Sequence, residues 1–290
     1  MTSSSLARAP RGPVPVPPQV ARLVTPGDEA RAVWVNGAGG VTFRLTEPSG
    51  ARFVKWHPGP EPAPGARAAD GREGPPGDGA LREEARRLAW ARAHGAHVPE
   101  VLGSGTDDDA AWLVTAAMPG LSAVAEPWLA QPAVAARAIG AGLRALHDAL
   151  PVAACPWTWG TDVRLARARA RAASRGPDGW APENLHTDHR GLRPAELLAR
   201  LADAPDVDRL VVAHGDACAP NTLLAPDGTY LGTVDLDRLG VADRWADLAV
   251  ACWSTSWNYG RDLTAEVCDA YGVEPDAARL AYYRLLWDLA

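Results

Sequence analysis

A chain of 290 residues that is 47% hydrophobic carries enough apolar material for a sizeable core, as one two-lobed unit or two small domains. Its net charge of −6 is uneven: residues 1–175 hold 20 basic and 16 acidic side chains, residues 176–290 hold 9 and 19, which disfavours nucleic acid in the second part and suits either a cationic small molecule or an ordinary solvated acidic surface. There is no run of eighteen apolar residues, no apolar signal core at the N-terminus and no Cys-x-x-Cys pair among the four cysteines, so a membrane span, secretion, a disulfide framework and a zinc site all lack support and a reduced, cytoplasmic protein is the simplest reading.

Residues 1–19, rich in Ser, Pro and Arg, read as a disordered or loosely extended leader. Periodic structure begins near Val20. Ala32–Val35, Val41–Leu45 and Ala51–Trp56 have strand character, separated by a glycine-rich turn at residues 36–40 and a Pro48-Ser49-Gly50 turn. The third strand carries Lys55, the one lysine beside 28 arginines, a compact point charge where a planar guanidinium would not fit the same space. Residues 57–80, dense in Pro, Gly, Ala and charge, read as a flexible insertion. A helix over Leu81–Gly95 follows, with Leu81, Leu88 and Ala91 on an inward stripe and Glu84 among them. A carboxylate on an apolar stripe is costly unless paired; Lys55 is the natural partner, and a surface pair with Arg87 is the alternative.

Val98–Leu102 and Ala111–Thr115 read as two more strands around a solvated acidic turn at Asp107–Asp109. From Pro127 the pattern turns helical, with Pro132–Leu150 one alanine-rich helix in which His147 serves packing. Val163–Ala173 is an arginine-rich helix whose Arg164, Arg167 and Arg171 share a face, expected to be solvated because the stacking aromatics of an RNA site are missing beside it. Residues 176–194 form a loop containing Asp178, Glu183 and Asp188.

The apolar run Leu210–Ala213 delivers His214-Gly215-Asp216-Ala217-Cys218-Ala219-Pro220-Asn221. A turn at Pro226-Asp227-Gly228 then sends the chain through Tyr230–Val234 into Asp235-Leu236-Asp237-Arg238. Loop and hairpin present Asp216, Asn221 and Asp235 at neighbouring strand ends. Phosphoryl transfer needs such a set: one carboxylate to accept a hydroxyl proton, an amide oxygen and a second carboxylate to hold magnesium. A metal hydrolase using His214 and Asp216, and a nucleotide-binding protein without transfer activity, are the competing readings. Asp243 is placed to cap the helix that begins at Arg244.

The Asp216-to-Asn221 interval matches the protein-kinase catalytic loop, with Gly215 where that loop has arginine. The phrase His-Gly-Asp-x-x-x-x-Asn resembles the aminoglycoside O-phosphotransferases, and Asp235 to Arg244 resembles their 3'-phosphotransferase branch. The resemblance spans roughly residues 30–290 and implies an α/β (α+β) protein-kinase-like fold: a small β-rich N-terminal lobe over 20–117 that binds nucleotide, and a larger, mostly helical catalytic and substrate-binding lobe over 118–290. It further implies ATP or GTP with Mg2+ as cofactors, an aminoglycoside acceptor phosphorylated at its 3'-hydroxyl to give resistance, and a monomer or weak dimer with neither nucleic-acid nor membrane partners. Streptomycin, a macrolide or a cellular metabolite is the alternative acceptor.

Carried onto this chain, the resemblance makes Asp216 the base, Asn221 and Asp235 the magnesium ligands, and Arg238 either a charge-neutralising group or a structural ion-pair partner. Lys55, paired to Glu84, would contact phosphate; Gly39 and Gly40 would lay backbone amides over the phosphates; Thr115 and Ala117 would meet adenine at the hinge, with Val114 or Met118 as apolar neighbours. Asp247 would brace the catalytic loop. Asp178, Glu183 and Asp188 would close over the acceptor, and Asp288 with the Ala290 carboxylate would grip its amines. Trp253–Gly260 would line an acceptor pocket or pack in the core. Two departures stand out: Trp287 occupies the place of the first C-terminal acid, and Asp237 replaces a glycine.

Overall fold

Alternation builds the first sheet. Along Val41–Glu47 the side chains of Val41, Phe43 and Leu45 are buried while Arg44 is exposed, the period of two that a half-buried strand imposes. The computed structural model describes residues 9–36, 39–47, 50–59, 78–174 and 185–290. The chain divides into two units, residues 1–89 with 99–117 and residues 90–98 with 118–290.

In the first unit, a helical turn α1 (Pro18–Ala21) precedes the antiparallel strands β1 (Glu29–Val35), β2 (Val41–Glu47), β3 (Gly50–Pro58), β4 (Val101–Thr106) and β5 (Ala110–Ala116), arranged in the order β1-β2-β3-β5-β4. Helix α2 (Asp78–Ala93) connects β3 to β4. Val20, Phe43, Leu45, Val54 and Val114 form the core beneath the sheet. Lys55 sits on the central strand β3, opposite Thr42 on one side and Leu113 on the other. The loose leader does not extend to residue 19: Gln19 is buried, its amide N–H donating to both carboxylate oxygens of Asp107 and its amide oxygen accepting from the Trp56 indole. Asp107 is thereby a tether for the N-terminal segment, and that hydrogen bond from Gln19 helps hold its carboxyl below the ordinary aspartate range. Strand β4 begins later than expected because Pro99 has no N–H to give a ladder, and Val98 is buried instead. Most of the 57–80 insertion lies outside the described residues.

The second unit holds helices α3 (Glu126–Leu129), α4 (Pro132–Ala149), α5 (Thr161–Ser174), α6 (Pro194–Arg200), α7 (Trp245–Tyr259), α8 (Thr264–Tyr271) and α9 (Ala277–Leu289). Two small antiparallel sheets accompany them: β6 (Leu121–Ser122), β8 (Thr222–Leu224) and β9 (Tyr230–Thr233) in the order β6-β8-β9, and β7 (Leu210–Ala213) paired with β10 (Gly240–Asp243). Ala135, Ala136, Ile139 and Leu143 of α4 pack with Val267 and Tyr271 of α8. The helices approach so closely at Gly140 that a Cβ there would strike the Val267 carbonyl oxygen. Asp243 accepts the Trp245 N–H at the start of α7, as a cap does. No helix among the described residues is long and apolar enough to cross a membrane.

One helical face departs from expectation. Arg164 of α5 is 1% exposed, with Nε and Nη1 lacking hydrogen-bond partners among the described residues and its guanidinium 5.6 Å from the Trp159 ring centroid. Burial, followed by repulsion from Arg238, pushes it down to about 10. Arg167 covers the same indole at 4.6 Å. These two arginines therefore build around a tryptophan; the side chain of Arg171 lies outside the described residues.

Candidate active site

Strand β7 ends in a loop pinned by one carboxylate. Asp247, fully buried in the first turn of α7, accepts the backbone N–H of His214 at 2.6 Å and that of Gly215 at 2.9 Å. Its third contact is the His147 ring at 2.9 Å, and His147 in turn meets the Tyr271 hydroxyl. Burial alone would raise the Asp247 carboxyl, but the His147 hydrogen bond, the two nearby histidines and the Gly215 N–H together hold it below the ordinary value. His214 clamps the other side. Its Nδ1 accepts the Asp216 N–H, which puts the proton on Nε2 facing the Val234 carbonyl at 3.0 Å. With both ring nitrogens engaged, His214 is no metal ligand, and the hydrolase reading loses its histidine.

Gly215 makes this loop possible. Its φ is +89°, and a Cβ would collide with the carbonyl oxygen of Arg238. The absence of a side chain lets the Asp216 loop lie against the segment that follows Asp235. Gly215→Ala is expected to destabilise the protein by at least about 2 kcal/mol, the sum of the left-handed penalty and the overlap. Thermal melting by circular dichroism measures it; an unchanged melting temperature would refute the close approach.

The loop and the hairpin are stitched together. Asn221 O accepts the Val234 N–H at 2.9 Å and the Thr233 hydroxyl at 2.8 Å, while Ala219 N–H donates to the buried Ser254 hydroxyl. Asn221 Nδ2 donates to the Asp216 carbonyl at 2.9 Å, and no described group bonds its Oδ1. Asp235 is the one non-glycine of positive φ among the described residues, at +69°. Strain of this kind clusters at functional sites, and aspartate tolerates it better than most residues. Asn221 and Asp235 offer the oxygen chemistry that suits a hard divalent cation. Asp216 is half-buried; its Oδ1 accepts from Cys218 Sγ at 3.0 Å and from Trp287 Nε1 at 3.2 Å, and no described group bonds Oδ2. Arg238 stands over Trp159, its guanidinium 5.8 Å from the ring centroid and its Nε 3.9 Å from Asp237.

In the first unit the expected ion pair is formed: Lys55 Nζ lies 2.6 Å from Glu84 Oε1, with the Glu84 side chain 3% exposed and that of Lys55 29%. Leu81, Leu88 and Ala91 are buried around that carboxylate's helix face. The glycine turn is different from expectation. Gly39 N–H donates to Asn36 O and Gly40 N–H to Asn36 Oδ1, so both amides are consumed inside the turn and neither is open to phosphate. The backbone groups expected at the hinge are engaged as well. Ala117 N–H is donated to Ala51 O and Ala116 N–H to Glu100 O, while Thr115 stays in the ladder opposite Phe53; the next N–H, that of Met118, has no described partner.

Of the acceptor-side residues, Asp178 and Glu183 lie outside the described residues. Asp188 keeps an exposed carboxylate, 3.4 Å from His186 Nδ1. Asp288, expected to grip the acceptor's amines, is 9% exposed and already engaged within the chain, accepting the His186 N–H with both oxygens and the His189 ring N–H at 2.7 Å. A carboxylate so engaged braces the chain at residues 186–189. Burial, outweighing the nearby Asp188 and Asp288, lowers the His186 imidazole. Ala290 is half-buried, its N–H closing the last turn of α9 on Leu286 O. Trp287 belongs to an aromatic cluster with Trp253, at 6.1 Å, and Trp257, at 5.4 Å, so residues 253–257 both pack and reach the site. Sequence reasoning passed over Cys218, although its place two residues after Asp216 was a signal. The contact of Trp287 with Asp216 crosses 71 residues and left no local trace.

Comparison with known proteins places the chain in a family. The family described as "Phosphotransferase enzyme family" matches residues 20–283. An aminoglycoside 3'-phosphotransferase of Streptomyces fradiae is 39% identical over 250 residues, covering 82% of this chain and 90% of that protein. A streptomycin 3''-kinase of Streptomyces griseus is 34% identical over 292 residues, covering 94% and 95%. Among solved structures, the aminoglycoside phosphotransferase APH(3'')-Id of Streptomyces rimosus, in complex with ADP and streptomycin, superposes with a TM-score of 0.66 at 30% identity, covering 86% of this chain and 90% of that one. The two-lobed kinase-like fold, the ion pair on β3 and the Asp216 loop have one common explanation: the chain is a phosphotransferase and belongs to the aminoglycoside phosphotransferase family.

Proposed function

We propose that this protein transfers the γ-phosphoryl group of ATP to the 3'-hydroxyl of an aminoglycoside. The observation that carries the proposal is the Asp216 carboxylate, held by one oxygen and open at the other, on a loop stitched to the strand that ends in Asp235. Asp216 Oδ2 accepts the proton of the acceptor's hydroxyl as the hydroxyl oxygen bonds the γ-phosphorus and the bond from the γ-phosphorus to its bridging oxygen breaks, releasing ADP. Lys55, fixed by Glu84, contacts the nucleotide phosphates, and the Met118 N–H, which has no partner among the described residues, supplies the base contact in place of Ala117. Asn221 and Asp235 would hold Mg2+, which supplies charge neutralisation on the phosphates. Arg238 contributes a further positive charge beside Asp237. Most of the rate comes from positioning and electrostatics, since phosphoryl transfer asks little covalent chemistry of the protein.

A second acceptor, streptomycin, is favoured by one observation: Asp288, expected to grip amines, is spent on residues 186–189, and an indole replaces the neighbouring acid. ATP-dependent phosphorylation of kanamycin, neomycin, ribostamycin and streptomycin, read by product mass and NMR, decides between them. Transfer to the kanamycin and neomycin types at the 3' position supports the first reading. Transfer to streptomycin alone supports the second, and no transfer to any overturns both.

A further inference from the structure

The last turn of α9 makes two consecutive long-range contacts. Trp287 Nε1–H donates to Asp216 Oδ1 at 3.2 Å, and Asp288 receives the His186 and His189 N–H groups. The indole is half-buried and wedged by its neighbours, with Trp257 at 5.4 Å and Trp253 at 6.1 Å. A tryptophan packed on two others has few rotamers, and its single donor points where the ring is held. At the other end of the hydrogen bond, Asp216 has no other side-chain donor than Cys218 among the described residues, and thiols are weak donors.

We propose that Trp287 is a positioning residue for the catalytic base: its indole N–H fixes the Asp216 carboxylate so that Oδ2 is the oxygen aimed at the acceptor hydroxyl. The proposal rests on the phosphotransfer reading of Asp216. A free aspartate turns about its Cα–Cβ and Cβ–Cγ bonds, and each wrong orientation is a ground state from which transfer cannot start. A charge-assisted hydrogen bond to one oxygen removes that freedom without consuming the oxygen that works. Cys218 adds to the hold from within the loop, whereas Trp287 anchors it to the C-terminal helix. The same indole explains how the chain accommodates an uncharged side chain at this point: its ring packs, and its one polar atom is used on the base.

The test compares wild type, Trp287→Phe, Trp287→His and Asp216→Asn, singly and with Trp287→Phe combined with Asp216→Asn, in the phosphorylation assay with thermal melts alongside. Wild-type transfer that is lost in Asp216→Asn upholds the function whatever Trp287 does. For Trp287, the expected result is a kcat about 10-fold lower in the phenylalanine variant with KM for ATP within about 2-fold, partial recovery with histidine, which keeps an N–H, and no further loss when Trp287→Phe is added to Asp216→Asn. A phenylalanine variant whose kcat stays within about 2-fold of wild type overturns the proposal, as does a loss that is fully additive with Asp216→Asn. If Trp287→Phe is too unstable to assay, the histidine variant carries the comparison, and failure of its activity to depend on Asp216 overturns the proposal. A wild type silent with every acceptor overturns the proposal together with the functional reading.

Discussion

Asp216→Asn is expected to lower kcat by about 1000-fold, within the range that a positioned general base contributes. The substitution is nearly isosteric, and the amide oxygen can still accept from Trp287 and Cys218 at the place of Oδ1. What disappears is the basic lone pair at Oδ2, the proton acceptor in the proposed transfer. The groups proposed for the nucleotide are untouched: Lys55 and Glu84 stand in the other unit, and the Asn221 carbonyl is held by the Val234 N–H and the Thr233 hydroxyl. KM for ATP and the melting temperature should therefore stay near wild type while turnover collapses. A variant that keeps more than a tenth of wild-type kcat would move the proton acceptor away from Asp216. A variant that loses nucleotide affinity in parallel would show that the carboxylate organises the phosphates instead of the acceptor.

The parts of the site that could be read from the sequence are those whose physics is local. His214 to Asn221 is a single loop, so its spacing alone sets which groups converge. The Lys55–Glu84 pair was legible because a carboxylate on an apolar helix face demands a cation, and the chain has one lysine. The illegible parts depend on partners far along the chain or on competition for the same donors. Arginines spaced along one face of α5 look alike in sequence; Trp159 is what turns Arg164 inward. Gly39 and Gly40 have the composition of a phosphate-binding turn, but the Asn36 side chain and carbonyl reach them first. Asp288 carries the residue type expected of an amine ligand, and only the fold brings His186 and His189 within reach of it, about a hundred residues earlier. The same holds for Trp287, whose role is decided by where α9 ends.

Asp247→Ala is expected to be the most damaging single substitution to the stability of the second unit, costing about 3–5 kcal/mol. Three donors converge on this one buried carboxylate: the His214 and Gly215 N–H groups and the His147 ring. Removal leaves all of them buried without an acceptor, and none can turn to solvent, because His214 and His147 are themselves 1% and 3% exposed. Asp247→Asn keeps one acceptor oxygen but directs an amide N–H at a neighbouring donor, so it should fall between wild type and alanine. The pH dependence separates charge from shape. The folded carboxyl is held below the ordinary aspartate value of 3.8 because its hydrogen bonds and the two neighbouring histidines outweigh burial, so its contribution is complete above that value and is lost as pH falls through the lower folded value. Urea titrations should accordingly show a large gap between wild type and Asp247→Asn at pH 7 that narrows once the pH is taken well below 3.8. An equal gap at both would mean that the loop uses the shape of Asp247 and not its charge. A gap that closes ties the geometry of the Asp216 loop to a single ionised group behind it.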